Sequence, residues 1–305
     1  MKASVAEKVE HNRKTILACL DAAAAYRPDF VCFPEIMLQS GVGGFKVALP
    51  FAETVPGLTS EMVAARARSL GCHVVFCTIE RANRRFYNTA VLIGRDGNIV
   101  GKYRKFHTTS YEMKDGITPG EAVPVWETDG GRVGCAICFD LKFPAVGLAL
   151  SRGRAQVVFL PSMFYGGRRL AAWAMDYGFY IIRCHSSGGA IVDPVGNRIA
   201  SEGPPLPLRG VNAVVKWTFA EVNADRKTYH LDFNREKLPA LARKYGSGAA
   251  IDFMWEEGTF SLTSNLPGLS VVDLEREFGL QDLRAYLDEA EHMRAARLRA
   301  RRRWR

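Results

Sequence analysis

The chain has no apolar run approaching the roughly 18 consecutive residues of a membrane helix, and its opening residues carry no charged-then-apolar leader pattern. Both absences predict a cytoplasmic protein with no membrane partner. It also lacks a disulfide framework. The seven cysteines, Cys19, Cys32, Cys72, Cys77, Cys135, Cys138 and Cys184, are odd in number, and several sit in apolar strand-like runs such as 30–33 and 75–77. Free thiols in a reducing compartment fit that pattern. No second Cys-x-x-Cys accompanies Cys135 and Cys138, and only Cys72 and His73 add ligand types nearby. Zinc needs more ligands at suitable spacing, so no metal and no cofactor are expected. No Pro/Ser-rich linker interrupts the first 200 residues.

Basic charge is scarce outside one place. Residues 292–305 hold seven arginines and no acid, which leaves 34 lysines and arginines against 32 acids in the rest of the chain. The net charge of +9 therefore belongs mostly to the tail. A short basic end more often frays in solvent than binds phosphates, so nucleic acid is not an expected partner. What remains is a chain of 305 residues, 48% hydrophobic and 24% charged. That length buries a sizeable core without staples.

Helical and strand patterns alternate along it. Ile16, Leu17, Leu20, Ala23 and Ala24 mark a helix over 7–27. Residues 29–33 read as a short buried strand ending at Pro34, and 59–70 as a helix closed by Gly71. Strands are expected over 73–79, 86–93 and 99–103, the last two joined by the Asp96-Gly97-Asn98 turn. Further strands are expected over 123–127, 132–138, 156–160, 180–185 and 190–192, with helices over 145–152 and 168–178. This rhythm predicts an α/β fold with hairpins breaking a purely parallel wind. Residues 27–34 and 154–161 resemble each other, compatible with two similar halves or with one common pattern used twice.

Three segments carry residues suited to chemistry. Phe33-Pro34-Glu35 puts a carboxylate just past a strand end, where α/β sites are built. Tyr103-Arg104-Lys105-Phe106-His107 follows another strand. Ile137-Cys138-Phe139-Asp140 ends a third, with Phe143-Pro144 beyond it. On a strand over 132–138, positions 135 and 138 face opposite sides, which disfavours a redox pair. Cys138 is the better nucleophile, held rigidly before a turn.

Taken together, in this order, the three segments resemble the signature of the nitrilase-like carbon–nitrogen hydrolase superfamily, in its amidase and N-carbamoylase-type branch. The resemblance runs from residue 12 to about 200 and takes in Val158–Ser162 and Asp193–Asn197. It implies a four-layer αββα sandwich and a Glu35–Lys105–Cys138 triad. It further implies a second glutamate in the loop after the lysine, for which Glu112 is the candidate and Asp115 the competitor. The residue types suit one another: a thiol needs a base before it attacks a carbonyl. A lysine ammonium favours thiolate and a developing oxyanion.

Some positions depart from the family pattern. The family's first core strand is missing or vestigial here, since residues 1–6 run almost directly into the first helix. Ala145 stands where an acidic residue is usual, and Asp176 stands in place of a glutamate. The expected organisation is a hydrolase domain over 1–235 and a helical extension over 236–305 with the basic tail. One amphipathic helix is expected over 272–300, with Leu274, Phe278, Leu280, Leu283 and Leu287 on its apolar side.

The reaction implied is cleavage of a small non-peptide amide or N-carbamoyl bond through a covalent thioester, by a homodimer or higher homo-oligomer. A nitrile substrate is the less favoured reading, because the nitrilase branch resembles Cys-Trp-Glu where this chain has Cys138-Phe139-Asp140. The alternative of another class is a catalytically impaired scaffold. Phe139, Met163, Phe164 and Tyr165 are the expected substrate-lining residues, and Lys142, Arg168 and Arg169 are candidates for a carboxylate.

Overall fold

Ser4 and Glu7 open the first helix. The Ser4 hydroxyl accepts from the Glu7 N–H, and the Glu7 carboxylate accepts from the Ser4 N–H. This reciprocal pair satisfies two donors that a helix start leaves orphaned. The computed structural model describes residues 3–302, and side chains as far as Arg299. Helix α1 (Val5–Ala23) ends earlier than its periodicity predicts, in a 3-10 turn at Ala24–Tyr26 closed by Arg27 in a left-handed conformation. Strand β1 (Phe30–Cys32) follows, then the short helix α2 (Phe45–Ala48) and helix α3 (Leu58–Leu70), which Gly71 terminates at φ +64°. Strands β2 (His73–Ala82), β3 (Arg85–Ile93) and β4 (Ile99–Arg104) complete a sheet of order β1-β2-β3-β4. Only the β1–β2 pair is parallel.

The second half repeats the plan with more strands. Helix α4 (Ser110–Lys114) precedes β5 (Val125–Thr128) and β6 (Gly131–Cys135). Helix α5 (Pro144–Arg152), β7 (Val157–Pro161), helix α6 (Arg168–Tyr177), β8 (Tyr180–His185), β9 (Gly188–Val192) and β10 (Arg198–Ala200) follow. The sheet order is β10-β9-β8-β7-β6-β5, with β6, β7 and β8 parallel.

Alternation along the strands builds the layers. In β2, Val74 and Phe76 meet Ile16, Leu20, Val63 and Ala67 of α1 and α3. Their neighbours Val75 and Cys77 point the other way, into Val133, Cys135, Val157 and Phe159 of the second sheet. That sheet's outer face, through Val158, Leu160 and Ile181, packs on Val146, Leu150, Leu170 and Trp173 of α5 and α6. Two sheets face to face with helices outside each make the expected αββα sandwich. The first sheet has four strands and the second six. Among the described residues no strand pairs with the outer edge of β1.

The remaining elements correct two expectations. Strands β11 (Pro205–Pro207) and β12 (Val214–Lys216) form a hairpin. Strand β13 (Arg226–His230), helix α7 (Leu238–Tyr245), β14 (Ala249–Met254) and β15 (Thr259–Ser264) build a third sheet of order β13-β15-β14. The segment after 236, expected to be helical, thus contains a β-hairpin turning at 255–258. Its alternate residues Phe260 and Leu262 bury against Tyr229, Leu241 and Leu274. The single helix expected over 272–300 is two, α8 (Val271–Phe278) and α9 (Leu283–Arg302). Gly279 at φ +59° stops the first, and the Asp282 carboxylate accepts from the Ala285 N–H to start the second. Arg294, Arg297 and Arg299 of the basic tail are exposed on α9, and residues 303–305 lie outside the described residues. Among the described residues no helix is long and apolar enough to cross a membrane.

The two sheets approach closely at Gly101 of β4, where an added Cβ would fall 2.0 Å from the Trp126 indole nitrogen of β5. Gly101→Val should therefore destabilise the fold by about 1–3 kcal/mol, the usual cost of overpacking. Urea unfolding followed by Trp fluorescence and far-UV circular dichroism measures it. An unchanged midpoint would mean that the sheets are not held at this spacing.

Candidate active site

Three strand ends and one short helix deliver the candidate residues to one place. Glu35 follows β1, Lys105 follows β4, and Cys138 lies three residues past β6. The structure shortens β6 to end at Cys135, so Cys138 sits in a 3-10 turn (Cys138–Lys142) rather than on the strand. Lys105 is aimed by its backbone, whose N–H donates to the Asn88 carbonyl (2.8 Å) and whose carbonyl accepts from Gly120 (2.8 Å). Glu112 lies on α4, which begins with a capping box. The Thr109 hydroxyl accepts from the Glu112 N–H (3.1 Å), and Glu112 Oε2 accepts from the Thr109 N–H (2.8 Å). Glu112, not Asp115, reaches Lys105; Asp115 accepts from the Lys46 N–H instead.

Lys105 Nζ is 2.8 Å from Glu35 Oε1 and 2.8 Å from Glu112 Oε2. The Asn88 amide donates to both carboxylates, at 2.8 Å to Glu35 Oε1 and 3.0 Å to Glu112 Oε1. The Met163 N–H donates to Glu35 Oε2 at 3.0 Å. Glu35, Asn88, Lys105 and Glu112 are all buried. Charges leave water only when paired and hydrogen-bonded, and here every member is. Burial by itself would lower Lys105, but Glu35 and Glu112 outweigh it and hold the ammonium above its ordinary value. Burial by itself would raise Glu112, but Lys105 and the Asn88 and Thr109 donors hold its carboxyl below the usual range. The Cys138 thiol is pushed up to about 11 by burial first and by the Glu35 charge, with Lys105 and the Met163 N–H opposing. At neutral pH the thiol therefore keeps its proton, beside a carboxylate that can accept it.

Asp140 holds the Cys138 turn and the lysine loop together. Its Oδ2 accepts from the Ile137 N–H (2.9 Å) and the Tyr103 hydroxyl (2.7 Å), and its Oδ1 from the His107 N–H (2.7 Å). It thus binds the residue before Cys138 and residues on both sides of Lys105. Burial raises its pKa against these hydrogen bonds. The tie matters because Cys138 has φ +47°, a left-handed conformation that costs a non-glycine residue about 1–2 kcal/mol. Asn88 and the Tyr103–Asp140 link escape a reading of the sequence. The available signal was the one Asn of β3, in a strand that also carries Arg85 and Thr89.

The neighbouring candidates separate cleanly. Cys135 is buried between the sheets, where burial pushes its thiol up to about 12. Lys102 and Arg104 turn to Glu80, at 2.7 and 2.9 Å, and not to the thiol. Phe139 packs edge-on to Phe143, and Phe164 lies under the Lys142 ammonium. Tyr165 stacks on His185. Met163, Phe164 and Tyr165 are exposed, as are Lys142, Arg168 and Arg169.

A family model described as carbon-nitrogen hydrolase matches residues 2–204. A hydrolase of Schizosaccharomyces pombe is 25% identical over 273 residues, covering 79% of this chain and 84% of its own. A deaminated glutathione amidase of Synechocystis sp. is 32% identical over 186 residues, 52% of this chain and 64% of that protein. An (R)-stereoselective amidase of Pseudomonas sp. is 35% identical over 137 residues, 45% and 49% respectively. The chain thus spans about half to two-thirds of the length of these two amidases. Among solved structures, a nitrilase-superfamily amidase from Nesterenkonia sp. AN1 superposes with a TM-score of 0.59 at 18% identity, covering 80% of this chain and 94% of its own. Nit3 of Saccharomyces cerevisiae gives 0.58 at 18%, covering 79% and 90%. Both likenesses establish the fold.

The Lys105–Glu112 pair has a pH signature. Glu112 titrates in the folded protein below its ordinary value of 4.5, so the unfolded chain binds its proton first as pH falls. Its contribution is fully present above that value and is lost as pH drops through the lowered folded value. Urea titrations between pH 7 and pH 3 should show wild type losing more stability than Glu112→Gln. Equal slopes would remove Glu112 from the pair.

Proposed function

The chain belongs to the carbon–nitrogen hydrolase family, and from that premise we propose that Cys138 opens a small non-peptide amide or N-carbamoyl bond with the help of Glu35, Lys105 and Glu112. The observation that carries this reading is a buried ammonium shared by two carboxylates, one of which adjoins a half-buried thiol. A thiol that keeps its proton at rest needs a base at the moment of attack. Glu35 is that base. Glu112 commits its oxygens to Asn88, Lys105 and Thr109, and acts by keeping Lys105 charged and in place.

The steps balance. Glu35 takes the Sγ proton as sulfur bonds to the carbonyl carbon, and the carbonyl electron pair moves to oxygen. The Lys105 ammonium stabilises that oxyanion. Collapse breaks the C–N bond, and the leaving nitrogen takes the proton back from Glu35, departing as ammonia from a primary amide. Glu35 then deprotonates a water that attacks the thioester. The C–S bond breaks, the thiolate regains the proton and the acid leaves. The sum is amide plus water giving acid plus ammonia. Phe139, Met163, Phe164 and Tyr165 form the apolar and aromatic rim against which the acyl group would lie. The reading includes a hydrolase unit over 1–235, a cytoplasmic location, consistent with seven free cysteines, and assembly into a homodimer or larger homo-oligomer.

Ammonia release from a panel of omega-amides, N-carbamoyl amino acids and aliphatic amides tests this. Cys138→Ala should abolish release with the fold intact, and Cys135→Ala should keep most of it. Lys105→Met should lower turnover roughly a hundred- to a thousand-fold, the scale of a lost oxyanion donor, and raise the pH at which Cys138 is alkylated. Arg104→Met should change turnover only modestly. Near-normal turnover in Lys105→Met would overturn the mechanism.

A further inference from the structure

Seven cysteines are free, and only Cys138 has a place in the reaction above. Two others face each other between the sheets. Alternation in β1 turns Phe30 and Cys32 toward the second sheet, while Val31 packs on the helix side. Alternation in β8 turns Tyr180, Ile182 and then Cys184 toward the first sheet, with Ile181 on the helix side. The Cys184 thiol donates to the Cys32 carbonyl at 3.0 Å, and the two sulfurs are near enough to hydrogen-bond to one another. Cys77 and Cys135 share this layer but are sealed inside it, at 0% and 1% exposed. Cys32 and Cys184 are only half-buried, and no strand among the described residues covers the outer edge of β1.

The pair is tied to the strand ends that build the candidate active site. Glu35 is three residues beyond Cys32. The Cys184 carbonyl accepts from the Ser162 N–H at 2.8 Å, and the next residue, Met163, donates its N–H to Glu35 at 3.0 Å. Cys19 of α1 is a third thiol nearby, close enough to Cys184 for its charge to be felt. It packs in the helix-side core and not between the sheets. Burial first, and Cys184 after it, hold the Cys32 thiol well above its ordinary value, so Cys32 keeps its proton at neutral pH.

We propose that Cys32 and Cys184 form a site of reversible oxidation, at which hydrogen peroxide joins them as a disulfide between the two sheets. The inference is independent of the amidohydrolase reading. Cys184 gives its proton to water, and its sulfur attacks one peroxide oxygen. The O–O bond breaks, and the departing hydroxide takes up a proton as the first water. This leaves a sulfenic acid on Cys184. The protonated Cys32 is the resolving thiol: its sulfur attacks the Cys184 sulfur, the S–O bond breaks, and the leaving hydroxide takes the Cys32 proton as the second water. Two thiols and one hydrogen peroxide thus give one disulfide and two waters. The sulfurs lose two electrons, and the peroxide oxygens gain them. Cysteines bridge only where their Cβ atoms come within about 4.5 Å, and thiols already in contact need little movement to do so. A reducing compartment would hold the pair open until peroxide reached it.

The folded protein is treated with hydrogen peroxide, its remaining thiols are blocked in denaturant, and its peptides are mapped by mass spectrometry without reductant. A linked pair carrying Cys32 and Cys184 should appear, and dithiothreitol should release it. The link should be lost in Cys32→Ala and in Cys184→Ala and kept in Cys19→Ala. The wild-type map stands alone if an alanine variant does not fold. Cys138→Ala removes the site thiol and keeps the pair. Its thiols, titrated in denaturant, should fall by two after peroxide and return with dithiothreitol. Cys32 and Cys184 both still free once Cys138 of the wild type has been oxidised would overturn the proposal. So would a link from Cys184 to Cys19 or to a second copy of the chain.

Discussion

The ammonium of Lys105 is the point on which the two halves of the sandwich agree. It is buried, so it must be paired. One of its carboxylates, Glu35, follows the edge strand of the first sheet. The other, Glu112, rides on a short helix whose capping box fixes its direction. Asn88 then reaches both carboxylates from β3. With the charges satisfied among themselves, Glu35 keeps one oxygen toward Met163 and the thiol. The electrostatic order of the site follows from one requirement, that a lysine with no access to water be surrounded by anions.

Asp140 extends that order to the second sheet. It takes three hydrogen bonds from residues that bracket Cys138 and Lys105. The thiol and the ammonium are consequently positioned by one carboxylate that touches neither. Two of the three donors are backbone N–H groups, of Ile137 and His107, and the third is the Tyr103 hydroxyl.

Glu35, Lys105 and Cys138 were legible because each follows a strand end and belongs to an ordered set of short motifs. The α/β character was legible from the strand and helix rhythm, and the four-layer sandwich from the resemblance to the family. Glu112 was readable in principle over Asp115, since Thr109 three residues earlier makes a capping box. Asn88 and Asp140 were not legible in these roles, because their partners depend on contacts distant in sequence. The hairpin of β14 and β15 hid behind a segment rich in helix formers, though Gly258 at φ +67° ends its turn. Gly279 is a helix stop, but apolar residues continue on both sides of it.

The left-handed backbone at Cys138 has an implication for how this protein can change. That conformation suits glycine, and a side chain of any kind at position 138 works against it. The residue that carries the site's thiol is also the residue that strains the turn. A lineage under selection for stability alone would drift toward glycine there and lose the thiol, while the Asp140 ties and the surrounding sheets remained. At such a position the backbone gives no reason for cysteine, so the demands of the thiol and those of the fold are separable.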